Sequence, residues 1–203
     1  MTKQLRIATL IADGFQEEEC LVPRFALQLL GARVDMVSST KAPVEIYSYF
    51  EKVGTYDVDH AIDTVNPRDF DGVLIPGGAK SPVILSQDER IKVFVRAIAA
   101  ADKLVACICR GVLLAAYAGI IQGRRVTGFT DDSQLSADQY RELAVEPVVV
   151  QSGGIWENSR VVIDRNFISS RHPRDLKFFT AALCKHLWHD TKMSPFDEAS
   201  TPN

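Results

Sequence analysis

Cys109 is the residue whose setting points most directly to chemistry. It ends the short apolar run Val105-Ala106-Cys107-Ile108 and precedes Arg110-Gly111 and the helix-forming stretch Val112-Leu113-Leu114-Ala115-Ala116-Tyr117-Ala118. A nucleophile between a buried strand and a helix, with glycine two residues later, has the arrangement of a nucleophile elbow. Such a turn points the sulfur at the first amides of the helix, whose dipole favours the thiolate, the reactive form. The same pattern also suits a core cysteine, because free cysteine is among the most buried residue types. Arg110 could raise the thiolate population and hold a substrate carboxylate or phosphate in its planar fork, or salt-bridge a nearby acid.

The elements that must position this cysteine are legible along the chain. Leu5 to Ile11 reads as a first, central strand, and Glu17, Glu18 and Glu19 open a helix whose apolar face is Val22, Ala26, Leu29 and Leu30. Gly31 ends that helix, and Arg33 to Ser38 is the next strand. Lys41 to Asp63 reads as a hairpin or a loop with short strands, with Tyr47, Tyr49, Phe50 and Tyr56 clustered in it. Asp71 to Ile75 is a buried strand that Pro76-Gly77-Gly78 breaks, and Asp88 to Ala101 is a helix. Val126 to Phe129 and Val145 to Gln151 read as strands. Val161 to Ser170 reads as a hairpin turning at Asp164-Arg165-Asn166, and Asp175 to His189 is the last helix. Trp156 falls beside Gly153-Gly154 in an exposed turn.

Strands and helices alternate, so the expected class is α/β: a three-layer flavodoxin-like sandwich, its mostly parallel sheet covered by helices on both faces. In such sheets ligands bind outside the carboxyl ends of the strands. Glu19, Gly77-Gly78 and Cys109 follow three of these ends, and their co-location favours a functional cysteine. Amides on the residue after the nucleophile and on a neighbouring glycine loop are the usual oxyanion donors, which points to Arg110 and Gly78. A plain tight turn would use the two glycines equally well.

Composition narrows the field. The 203 residues are 46% apolar and 24% charged, with a net charge of -3, which fits one soluble domain over residues 1–190 with a polar tail at 191–203. The charge argues against a general nucleic-acid binder. The seven residues from Leu5 to Ile11 are too short for a signal-peptide core or a membrane span, so no membrane association is expected. Cysteines 20, 107, 109 and 184 show no disulfide framework and no second ligand pair. A cytoplasmic setting with no metal and no cofactor is therefore expected.

Four segments in order resemble the ThiJ/PfpI family of the class I glutamine amidotransferase-like superfamily. They are Asp13-Gly14-Phe15-Gln16-Glu17-Glu18-Glu19, Asp71-Gly72-Val73-Leu74-Ile75-Pro76-Gly77-Gly78, Ala106-Cys107-Ile108-Cys109-Arg110-Gly111 and Val161 to Arg171, the last followed by Pro173 and Asp175. The resemblance implies that Cys109 is the nucleophile, that Glu19 hydrogen-bonds it and tunes its ionisation, and that Gly78 and Arg110 form the oxyanion hole. Glu19 equally suits a place complementing its helix terminus, where two further acids precede it. The resemblance also implies a homodimer or higher homo-oligomer, in which a neighbour's residues could complete the site.

The chain departs from the family pattern at three positions. Arg110 stands where the protease-like branch has histidine, Ala79-Lys80-Ser81-Pro82 replaces that branch's glutamate, and Phe129 occupies the histidine position of the stress-protein branch. An amide leaving group needs a proton donor, so peptidase activity is disfavoured. His172 offers a substitute: His172-Pro173-Arg174-Asp175 is similar to the His-Pro-Glu of true glutamine amidotransferases. It is a candidate general base and acid, oriented by Asp175, or else a capping or interface histidine. The expected activity is that of a cysteine-dependent hydrolase or lyase-type enzyme on a small carbonyl or amide compound, with Arg110 and Gly77 at the substrate. The alternative is a non-enzymatic stress or redox protein that oxidises at Cys109.

Overall fold

The computed structural model describes residues 4–130 and 144–188. In chain order the elements are β1 (Arg6–Leu10), β2 (Phe15–Gln16), α1 (Glu17–Leu29), β3 (Arg33–Ser38), β4 (Val44–Ser48), β5 (Glu51–Tyr56), β6 (His60–Ala61) and β7 (Gly72–Ile75). They continue with α2 (Ser81–Gln87), α3 (Glu89–Ala100), β8 (Leu104–Ile108), α4 (Val112–Tyr117), β9 (Arg125–Val126), α5 (Val145–Gln151), β10 (Ile155–Trp156), β11 (Val161–Asp164), β12 (Phe167–Ser170) and α6 (Leu176–Trp188).

Seven strands form the central sheet in the order β11-β12-β8-β7-β1-β3-β6. Only β11 and β12 pair antiparallel; every other neighbour is parallel. Period-two alternation sends successive residues to opposite layers. Ala8, Leu10, Val73, Ile75, Val105, Cys107 and Phe167 pack under α2 to α5, whereas Ile7, Leu74, Leu104, Ala106, Ile108 and Ile168 pack under α1 and α6. Each such buried aliphatic or aromatic side chain contributes about 1.5–3 kcal/mol. The three-layer α/β sandwich is thus set by the strands themselves.

The chain moves from β1 outward to β3, then returns to place β7 on the other side of β1. That reversal makes the carboxyl ends of β1 and β7 the topological switch point, where such sheets usually carry their ligand crevice. The segment from 41 to 63 supplies the β4–β5 hairpin, which joins β2 in a small side sheet beside this crevice.

Several elements differ from expectation. Residues Val145–Gln151 form a helix, although their valines favour strands. Val145, Val148 and Val149 are buried at helical spacing against α4, and Pro147 lies in the first turn, where its missing N–H costs nothing. Helix α1 is rotated relative to the expected face: Glu19, Cys20, Pro23 and Leu27 point inward. Val22 and Leu29 are 44% and 87% exposed, while Ala26 and Leu30 rest against the core edge. The strand expected at 126–129 is only the two residues of β9. Trp156 is not in an exposed turn but packs partly buried against the core from β10. The proposed tail, 191–203, lies outside the described residues.

Candidate active site

Strand β8 delivers Ile108 in extended conformation, and Cys109 then turns to φ 60 before the short turn Cys109–Gly111 and α4. A non-glycine residue at positive φ costs of order 1–3 kcal/mol and persists only where its surroundings enforce it. The enforcement is visible in the packing. A Cβ at Gly111 would collide with the Ile75 carbonyl oxygen, so the elbow closes directly over the end of β7. A Cβ at Gly77 would lie 2.6 Å from Glu19 Oε2, 2.7 Å from Cys109 Cβ and 2.9 Å from Arg110 N. Glycine here lets the loop after β7 press on nucleophile and carboxyl together.

Glu19 reaches this point from the first turn of α1. Its Oε2 accepts the Gly77 N–H at 2.9 Å in a buried bond, its Oε1 is buried without a hydrogen-bond partner among the described residues, and the carboxyl and the Cys109 thiol act on each other's titration. The Gly77 carbonyl in turn accepts the Gln16 N–H at 3.2 Å. The Arg110 N–H donates to the sulfur. Gly78, at φ 105, is partly exposed, and no carbonyl among the described residues takes its N–H. The residues expected at the nucleophile, carboxyl and glycine-loop positions therefore come together, with the Gly77 N–H directed at Glu19.

The thiol is closed to solvent, and the thiolate that the helix amides and dipole predict is not favoured. Cys109 is 5% exposed, and burial together with the Glu19 charge pushes its pKa up, against the opposing pull of Arg110. Burial likewise raises Glu19 to about 7, partly offset by Cys109, by its hydrogen bond to Gly77 and by Arg110. Two buried acids in contact cannot both ionise cheaply, so they titrate as a pair. A carboxyl that holds the proton withdraws its own charge from the sulfur. What then acts on sulfur is the Arg110 amide and guanidinium, both favouring the thiolate.

His172 follows β12, the neighbour of β8, in which Ser170 is level with Ile108. This register brings His172 beside the elbow. It is 5% exposed, its Nε2 lies 2.7 Å from Thr130 Oγ1, and its ring packs edge-on against Phe129 with centroids 5.1 Å apart. The Phe129 N–H donates to the Cys109 carbonyl at 3.3 Å, and the Arg110 guanidinium stacks 4.1 Å above the Phe129 ring. Arg110, Phe129 and His172 thus form one stacked wall. Asp175 accepts from Arg171 Nε at 3.1 Å and lies 3.9 Å from Arg160 Nε, while its own N–H donates to the His172 carbonyl at 2.9 Å. Sequence reasoning missed Thr130 as the partner of His172. It also missed Ser81, whose Oγ accepts the Ala12 N–H at 3.0 Å at the base of the crevice.

The profile of the DJ-1/PfpI family matches residues 5–186. The chain belongs to the DJ-1/PfpI family. It is 30% identical over 173 residues to Deglycase PfpI of Pyrococcus furiosus, covering 85% of this chain and 93% of that one. It is 30% identical over 178 residues to Protein/nucleic acid deglycase 2 of Escherichia coli, covering 86% and 92%. Among solved structures, a two-domain Anabaena variabilis protein with DJ-1/ThiJ/PfpI-like and ferritin-like domains superposes with TM-score 0.78 at 24% identity. That likeness spans 98% of this chain and 52% of the Anabaena protein, and shows the fold. At Arg110 and Phe129, where branches of this family were expected to carry histidine, the chain places its stacked pair instead. Among the described residues no helix is long and apolar enough to cross a membrane.

Proposed function

We propose that this member of the DJ-1/PfpI family is a cysteine-dependent enzyme of the deglycase and glyoxalase type, acting on small carbonyl compounds or their amine adducts. The observation that carries this reading is the strained elbow at Cys109, where the Gly77 loop brings the buried Glu19 carboxyl and the Arg110 N–H to the nucleophile. The names of the Pyrococcus and Escherichia relatives, both deglycases, support it.

In this mechanism the Cys109 sulfur attacks the carbonyl carbon, forming a C–S bond while the π pair moves to oxygen. The Gly78 and Arg110 N–H groups stabilise that oxyanion. Glu19, poised near neutrality, first takes the thiol proton and then returns a proton to the developing hydroxyl or leaving amine. His172 serves as a second proton relay beside the stacked wall. For a 2-oxoaldehyde, a proton then moves from the former aldehyde carbon to the ketone carbon through an enediol, giving a 2-hydroxyacyl thioester, and addition of water to this thioester breaks the C–S bond, releases the 2-hydroxy acid and restores the thiol. The exposed apolar stripe Val22, Phe25 and Leu29 on α1 supports a homo-oligomer, which light scattering after gel filtration checks.

The test is turnover of methylglyoxal and of a glycated amine by wild type and Cys109→Ala. Loss of turnover in the variant supports the reading, and undiminished turnover overturns it.

A further inference from the structure

Lys80 and Gln16 both border the loop after β7: a Cβ on Gly78 would meet the Gln16 N and the Gly14 carbonyl, and the Lys80 side chain lies against Gly14. Lys80 is three residues beyond Gly77, so their Cα atoms are at most about 11 Å apart. Its side chain crosses the Gly14 turn, where it would meet a Cβ on that glycine. Its ammonium donates to Tyr47 Oη at 3.3 Å and lies 5.1 Å from the centre of that ring. No carboxylate among the described residues lies within ion-pair distance of it: the nearby Glu45 is taken by Lys52 at 2.6 Å. Tyr47 holds the cation in place, and Glu45, which accepts from the Tyr47 hydroxyl at 3.3 Å, offsets the Lys80 charge without touching it.

Gln16 gives a second, independent indication. It is 4% exposed, and its Oε1 accepts the Tyr49 N–H at 2.9 Å. Its Nε2 is buried and has no partner among the described residues. An unpaired buried amide donor costs about 1–3 kcal/mol, so such a group calls for an acceptor. Gln16 abuts the loop that carries the oxyanion donors, because its own N–H is held by the Gly77 carbonyl. The acids of the same helix turn are Glu17, Glu18 and Glu19. Of these, Glu19 is bound to Gly77 through Oε2, its Oε1 being buried without a partner among the described residues, and Glu18 faces solvent.

We propose that Lys80 and Gln16 form a carboxylate subsite, and that the preferred substrate is a small 2-oxo compound or aldehyde carrying a carboxylate one or two carbons from the carbonyl. One point charge and one amide N–H match the two oxygens of a carboxylate. A phosphate would require more donors than this wall presents. The inference rests on the proposed nucleophilic role of Cys109 and adds the class of substrate that reaches it.

The experiment compares alkylation of Cys109 by iodoacetate and by iodoacetamide, read by peptide mass spectrometry on the full chain. In each case the thiolate displaces iodide, a C–S bond replaces C–I, and the thiol proton passes to solvent. Both reagents see the same thiolate population, so their rate ratio isolates recognition of the anion. We expect Lys80→Met to lower the iodoacetate-to-iodoacetamide ratio about 3- to 10-fold, Lys80→Arg to restore most of it, and 0.5 M salt to lower it in wild type alone. An unchanged ratio in Lys80→Met overturns the subsite while leaving the nucleophile standing. A Cys109 that neither reagent labels overturns both.

Discussion

Replacing Glu19 by glutamine separates the charge of this carboxyl from its shape. The amide keeps an oxygen for the Gly77 N–H and offers N–H where the protonated acid offers O–H; only titration is lost. Burial raises Glu19 from its ordinary 4.5 to about 7. Between those values the folded protein keeps a proton that the unfolded chain has already released. Stability contributed by the protonated group is therefore full below 4.5 and is lost as pH rises through about 7. At about 1.4 kcal/mol per pH unit, ionised Glu19 costs the folded state about 3 kcal/mol at pH 8 and under about 1 kcal/mol at pH 5. Glu19→Gln escapes this cost, so its stability relative to wild type should improve by about 2–3 kcal/mol between pH 5 and pH 8. Urea denaturation at the two pH values measures it directly. Turnover should fall by about 100-fold or more, because the proton acceptor is gone. A stability difference that does not change with pH would refute the buried, proton-holding carboxyl.

Three further outcomes follow from the same geometry. Gly77→Ala drives a methyl group into Glu19 and Cys109, and is expected to destabilise by about 2 kcal/mol or more and to slow Cys109 alkylation, read by thermal melts and labelling rates. His172→Ala is expected to lower kcat by about 100-fold or more with KM little changed; rates equal to wild type would leave His172 as a packing residue. Alkylation near neutral pH should modify Cys109 before Cys20, Cys107 and Cys184. Burial raises the thiol pKa of all four, but only Cys109 has both an amide and a guanidinium, those of Arg110, pulling it back down.

Much of the architecture was legible because its strands are short, apolar and bounded by glycine and proline. The elbow could be read from a strand-like run, a cysteine and a glycine, and the loop after β7 from Pro76-Gly77-Gly78. Helix α5 was misread because tertiary packing of Val145, Val148 and Val149 against α4 overrides the strand preference of valine. The face of α1 was misread because its inward stripe carries Glu19, Cys20 and Pro23, while Val22, Phe25 and Leu29 face outward. The depth of Cys109 could not be read at all. It arises from contact between loops 30 residues and more apart, where Gly77 and Gly111 admit backbone with no side chain between. Nor could the pairing of His172 with Thr130, which depends on β12 lying beside β8.

Partial alkylation tests the central claim most directly. Samples of the protein are modified to graded extents, and for each the fraction of Cys109 carrying the label is set against the fraction of methylglyoxal turnover that remains. A nucleophilic Cys109 predicts that activity falls in proportion to modified Cys109 and reaches background when that residue is fully labelled. Turnover persisting in protein whose Cys109 is completely modified would contradict it.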